Sequence, residues 1–217
     1  MATFWSSANV EPKRKFKFLV QFNPISGDFD VPSFVVKKID KPGFTITETK
    51  HTFLGHNFFF PGKLEWKEIS MSIVDPAGTG VSQNADIGIE KIPDMSYNLT
   101  QILSAFGYQS PALVAGALNG GDVRDNLGTA GTGIKSFSKA GAVATTGNIN
   151  ILQIDDEGYT VEKWALRNAW IKDIQFGSND YSSDDAQEVT VKLRYDWAEF
   201  FSVNKDGSEI KSSYLVR

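Results

Sequence analysis

The chain has no cysteine among its 217 residues. A disulfide framework, a thiolate zinc site and a cysteine nucleophile are therefore excluded. Histidine is nearly absent too, with only His51 and His56. Both fall in one short stretch, so no Ser-His-Asp constellation stands out among the many serines. Five residues apart, they would face opposite sides of a regular strand, and a metal would need a third ligand and a turn to unite them. No apolar run approaches a membrane span, and residues 1–12 lack the apolar core of a secretory signal. The reading is a soluble protein made inside the cell, without a membrane partner. The net charge of −4 argues against a basic nucleic-acid binder.

What is plentiful is aromatic: 16 Phe, 6 Tyr and 5 Trp. With a hydrophobic fraction of 41%, this suits a sheet with a real core. The length suits one large β-rich domain, or one with an insertion. The clearest pattern lies in residues 159–201, read as a hairpin. Val189, Val191, Leu193, Tyr195 and Trp197 alternate with Glu188, Thr190, Lys192, Arg194 and Asp196, the period of a half-buried strand. The partner strand carries Trp164, Leu166, Trp170, Ile171, Ile174 and Phe176. Its phase shifts near residues 169–174, as at a β-bulge or bend.

Earlier strands follow the same logic. Phe16, Phe18, Val20 and Phe22 alternate behind the basic cluster Lys13, Arg14, Lys15 and Lys17, itself read as a solvated or ion-paired face. Phe4 and Trp5, in the leader of residues 1–12, are too apolar for a free tail and are expected to dock on the body or on a neighbour. Residues 34–39 and 44–50 read as strands, parted by Lys41-Pro42-Gly43. The strand at 64–74 puts Ile69, Met71 and Ile73 on one side and ends at Asp75-Pro76. Between lies a stretch with Phe53, Leu54, Phe58, Phe59 and Phe60, more apolar surface than one small subunit can bury. Such a surplus predicts a subunit interface.

One good helix is predicted at residues 94–107. Asp94 or Ser96 caps it, Leu99, Ile102, Leu103 and Phe106 form its stripe, and Gly107 stops it. Residues 108–147, rich in Gly, Ala, Ser and Thr, read as a partly flexible insertion with a short helix near 112–118. Residues 198–217 read as a C-terminal extension. Strands without a short repeat, plus one helix, predict a sandwich or barrel with a flanking helix.

Other motifs in the chain fall short of a chemical site. Residues 128–136 look like a phosphate loop, but Ile134 separates Gly133 from Lys135, and the motif needs Gly-Lys-Ser/Thr contiguous. The acidic groups Asp155, Asp156, Glu157 and Asp184, Asp185 are candidates for acid/base work, yet both sit in turns that favour aspartate. Asn98-Leu99-Thr100 fits a glycosylation acceptor, without meaning unless secreted. Trp5, Trp66, Trp164, Trp170 and Trp197 offer a second class of reading, stacking platforms of a carbohydrate- or ligand-binding sandwich. No catalytic residue, metal site or cofactor is expected.

Two stretches resemble the tail-tube protein family of contractile-tailed bacteriophages. One runs from Lys41-Pro42-Gly43-Phe44 through Phe58-Phe59-Phe60-Pro61-Gly62 to the Trp66-centred strand ending at Asp75. The other runs from Leu166 to Phe176 and resumes from Val189 to Trp197. The resemblance covers about a third of the chain and carries no catalytic signature. It implies a mainly β tail-tube-type sandwich or barrel, a single domain over residues 1–217 with one flanking helix and a long protruding hairpin. It also implies hexameric rings, stacked into a tube that passes DNA without sequence-specific binding. Phe53, Leu54, His56, Phe58, Phe59 and Phe60 would then make inter-ring contacts. The strands of Phe16–Phe22 and Val189–Trp197 would form inter-subunit sheet or core. The implied partners are other copies, a tail sheath protein, and baseplate and terminator proteins; the implied location is the virion, after synthesis in the host cytoplasm. Residues 108–147 and 198–217 exceed the family pattern. They leave open a tube-like baseplate initiator or terminal ring.

Overall fold

The computed structural model describes residues 12–25, 31–76, 94–108, 137–182 and 184–212. Phe4 and Trp5, the helix expected near 112–118 and the phosphate-loop-like stretch lie outside them. The strands are β1 (Phe18–Asn23), β2 (Val36–Ile39), β3 (Phe44–Phe53), β4 (His56–Trp66), β5 (Ile69–Val74), β6 (Asn148–Ile154), β7 (Thr160–Arg167), β8 (Trp170–Gln175), β9 (Glu188–Arg194), β10 (Trp197–Val203) and β11 (Glu209–Lys211). Two helices accompany them, α1 (Met95–Ala105) and α2 (Lys139–Thr146). One sheet has the order β1-β6-β7-β10-β11, a second β2-β5-β9-β8, and β3 and β4 pair only with each other.

The long hairpin expected at residues 159–201 is present, but it is folded across both sheets. β7 pairs with β10 in the first sheet, and β8 with β9 in the second. The phase shift seen in the sequence is therefore a corner and more than a bulge. Asn168 takes φ 54° there, and its side chain donates to Asp196 at 2.8 Å. Asp196 occupies the matching corner of the other leg, and its N–H donates to the Arg167 carbonyl. Beyond that corner the alternation resets. Tyr195 is buried, Ala198 enters the core, and Trp197 turns outward, 40% exposed. Residues 198–211 are no appendage: β10 and β11 complete the first sheet.

The core fills the space between the sheets. Val20, Phe22, Ile149, Ile151 and Leu166 come from one side, and Ile69, Met71, Ile73, Val189, Val191 and Leu193 from the other. Met95, Leu99, Ile102 and Phe106 of the α1 region join them. Asp94 caps α1, accepting from the Tyr97 N–H at 3.0 Å. Asp75, just past β5, accepts from the Met95 N–H and from Ser96 Oγ, which ties the helix to the sheet.

The second helix lies in what reads from the sequence as a flexible insertion. Ser138 caps α2 by accepting from the Gly141 N–H, and Ala142, Thr145 and Thr146 are buried. Its small residues let it lie close to the body. It ends at Gly147, φ 71°, where an added Cβ would sit 1.8 Å from the Asn23 carbonyl oxygen.

Candidate assembly interface

β3 and β4 make a two-stranded hairpin, and β4 alone runs for 11 residues, roughly 35 Å at strand rise. Leu54 and Gly55 turn the chain, both with positive φ (46° and 80°), the sense that matches strand twist. Near the base, two residues of β4 oppose Thr47, forming a bulge between the pairs Ile46–Leu64 and Glu48–Pro61. Thr47 Oγ1 accepts from the Lys63 N–H at 2.8 Å. Gly62 is required at this crossing, since a Cβ there would lie 2.4 Å from that hydroxyl. Pro61, which lacks an N–H, is tolerated because this ribbon has only two strands.

The side chains divide between two faces. Thr49, His51 and Phe53 share one with His56, Phe58 and Phe60. Phe44, Ile46, Lys50 and Thr52 share the other with Asn57, Phe59, Leu64 and Trp66. The turn thus places both histidines on one face, where a regular strand would have parted them. Among the described residues, no three metal-ligating side chains come together. Every residue of β3 is exposed, and β4 is exposed as far as Glu65. Phe53 is 60% exposed, Leu54 83% and Phe59 57%. Water meets apolar groups on both faces of this ribbon, and nothing described in the chain covers them.

The base is anchored. Phe44 meets Trp66 edge-on at 5.7 Å, and Trp66 lies 5.9 Å from the Tyr195 ring. Burial pushes the Tyr195 phenol up to about 12, so it stays neutral beneath the stack. Lys67 N–H donates to the Gly43 carbonyl at 2.8 Å, closing the neck. Beside it, Lys41 and Lys13 both bind Glu162 of β7. Burial alone would raise the Glu162 carboxyl. Hydrogen bonds from Lys13, Lys41 and the Trp164 indole outweigh it and hold the group at about 2. One buried carboxylate thus joins the approach to β1, the neck of the hairpin and the first sheet.

The remaining candidates fall out as follows. Val20, Phe22, Val189, Val191, Leu193 and Tyr195 are core; Phe18 is partly buried against it, and Phe16 is exposed. Trp66, Trp164 and Trp170 are partly buried and pack against the core, and Trp66 and Trp170 also line a cleft beside the hairpin base. Asp155 accepts from the Glu157 and Tyr159 N–H groups in its turn, and Asp156 pairs with Lys17. The Glu162 hub escaped sequence reasoning; a lone glutamate between strand residues carries no signal that two distant lysines will meet it.

This architecture, two antiparallel sheets sharing a folded hairpin, a flanking helix and a projecting ribbon, is the tail-tube-type fold. No protein-family model matches the sequence, and no curated protein matches it. Solved structures do. A chain of the anti-feeding prophage baseplate, six-fold symmetrised, aligns at TM-score 0.53 and 15% identity, over 88% of this chain and 97% of that one. A chain of the tube-terminating cap of the anti-feeding prophage gives 0.52 and 17%, over 94% and 100%. A chain of the PVC sheath-tube complex, from an extracellular contractile injection system in its extended state, gives 0.50 and 15%, over 88% and 93%. At these identities the likeness is one of fold.

Proposed function

We propose that the protein is a structural subunit of a contractile tail tube. It forms hexameric rings that stack into a tube inside a sheath, and DNA passes along the lumen without sequence-specific contacts. The observation that carries this reading is the exposed apolar ribbon, which other copies of an assembling chain would cover. The tail-tube-type fold supports it. The role requires no turnover and no cofactor. Its partners are further copies, a sheath protein, and baseplate and terminator proteins; its place is the tail of the particle, after synthesis in the host cytoplasm.

A second reading is a ring at one end of the tube, as a baseplate initiator or terminal ring. Similarity to chains of a baseplate and of a tube-terminating cap favours it. Replacing Phe58, Phe59 and Phe60 with serine tests the shared part of both readings. Stacking should be blocked while the fold is unchanged; tubes forming as in the parent would remove the ribbon from the interface.

A further inference from the structure

A cleft of about 1020 Å³ opens beside the hairpin base. Leu64 and Trp66 wall one side, Leu103 and Phe106 of the α1 region another, and Phe137 and Trp170 complete it. Most charges at its margin are paired: Lys172 and Arg194 both approach Glu68, while Glu65 has no ion pair among the described residues. Lys139 Nζ lies 2.7 Å from Asp196, and Lys192 Nζ lies 2.9 Å from Asp173. The cleft therefore presents a largely apolar interior with a mostly neutralised rim, which suits an apolar guest.

The same chain carries such a guest. Leu54 and Phe53 at the ribbon tip are more than half exposed, and Phe58 behind them is 49% exposed. With Phe59 and Phe60 these side chains offer roughly 600 Å² of apolar surface, taking about 200 Å² for each fully exposed side chain. One side of a standard interface buries about 800 Å². The tip cannot fill its own cleft. Leu64 belongs to the same strand as the tip, nine residues on from Gly55, roughly 30 Å away in an extended ribbon. Cleft and tip thus lie at opposite ends of one rigid hairpin, an arrangement that joins copies head to tail.

We infer that this cleft is the receptor for the hairpin tip of a second copy of the chain. The inference rests on the tube reading and names the surface that receives the ribbon. It gives α1 and the Trp66–Trp170 floor a role in assembly besides closing the core.

The absence of native cysteine makes the test direct. Full-length Leu54→Cys and Leu103→Cys variants, each changed at an exposed position, are mixed, allowed to assemble and oxidised. The sample is then examined by non-reducing electrophoresis and by electron microscopy. Leu54→Cys mixed with Ile210→Cys, on the exposed edge strand β11, is the mismatched control. The expected result is a disulfide-linked dimer in the first mixture at least tenfold above the control. Rings or tubes without that cross-link would overturn the receptor assignment and leave the tube reading standing. Neither particles nor cross-link would overturn both.

Discussion

Glu162 shows how one side chain can organise a junction. Its folded-state carboxyl lies at about 2, below its ordinary 4.5. A depressed carboxyl stabilises the fold above the unfolded value, and that stabilisation is lost as pH falls from about 4.5 towards 2. Melting temperature should therefore drop across that window in the parent. Glu162→Gln should cost roughly 2 kcal/mol at neutral pH and flatten the drop. A variant whose acid profile matches the parent's would count against the hub. Gly147 is a second decisive residue. Gly147→Ala combines a positive φ with a clash against the Asn23 backbone, and thermal denaturation should show a loss of roughly 2–3 kcal/mol.

Among elements, the ribbon and the folded hairpin behave differently. The ribbon's outer part touches little of the body, so the triple serine variant at Phe58, Phe59 and Phe60 should keep its melting temperature to within a few degrees. By contrast, Val191→Ala empties space at the centre of β9, where Val191 is fully buried, and should cost roughly 1–3 kcal/mol by denaturant unfolding. The ribbon was legible in the sequence because five apolar residues crowd a turn. The alternation of β9 was legible through Tyr195. Two features were not. The corner at Asp196 looks like one more polar position of a continuous strand, and only its bonds with Asn168 and Lys139 reveal the change of sheet. Helix α2 was hidden because its composition of Gly, Ala and Thr resembles a linker; burial against the body stabilises it more than propensity does.

At the scale of the molecule, the two sheets are coupled. Each leg of the 159–201 hairpin passes from one sheet into the other, so neither can unfold alone. Far-ultraviolet and near-ultraviolet transitions should coincide in denaturant; separated midpoints would show that the sheets are independent. What such a body leaves outside is a ribbon with apolar groups on both faces, and that surplus is the basis of the assembly reading. The mainly β class could be read from the alternating strands, whereas the cleft beside the hairpin base could not. It exists only where α1, α2, β8 and the hairpin base meet, and those segments are far apart in the chain.

The proposed role requires self-assembly into rings with a channel. Electron microscopy of the purified protein over a series of concentrations tests it most directly. Six-fold rings or hollow tubes should form and grow more abundant with concentration, with long tubes marking the repeating subunit and single layers marking an initiator or terminal ring. Single subunits at every concentration, or aggregates without a central channel, would contradict it.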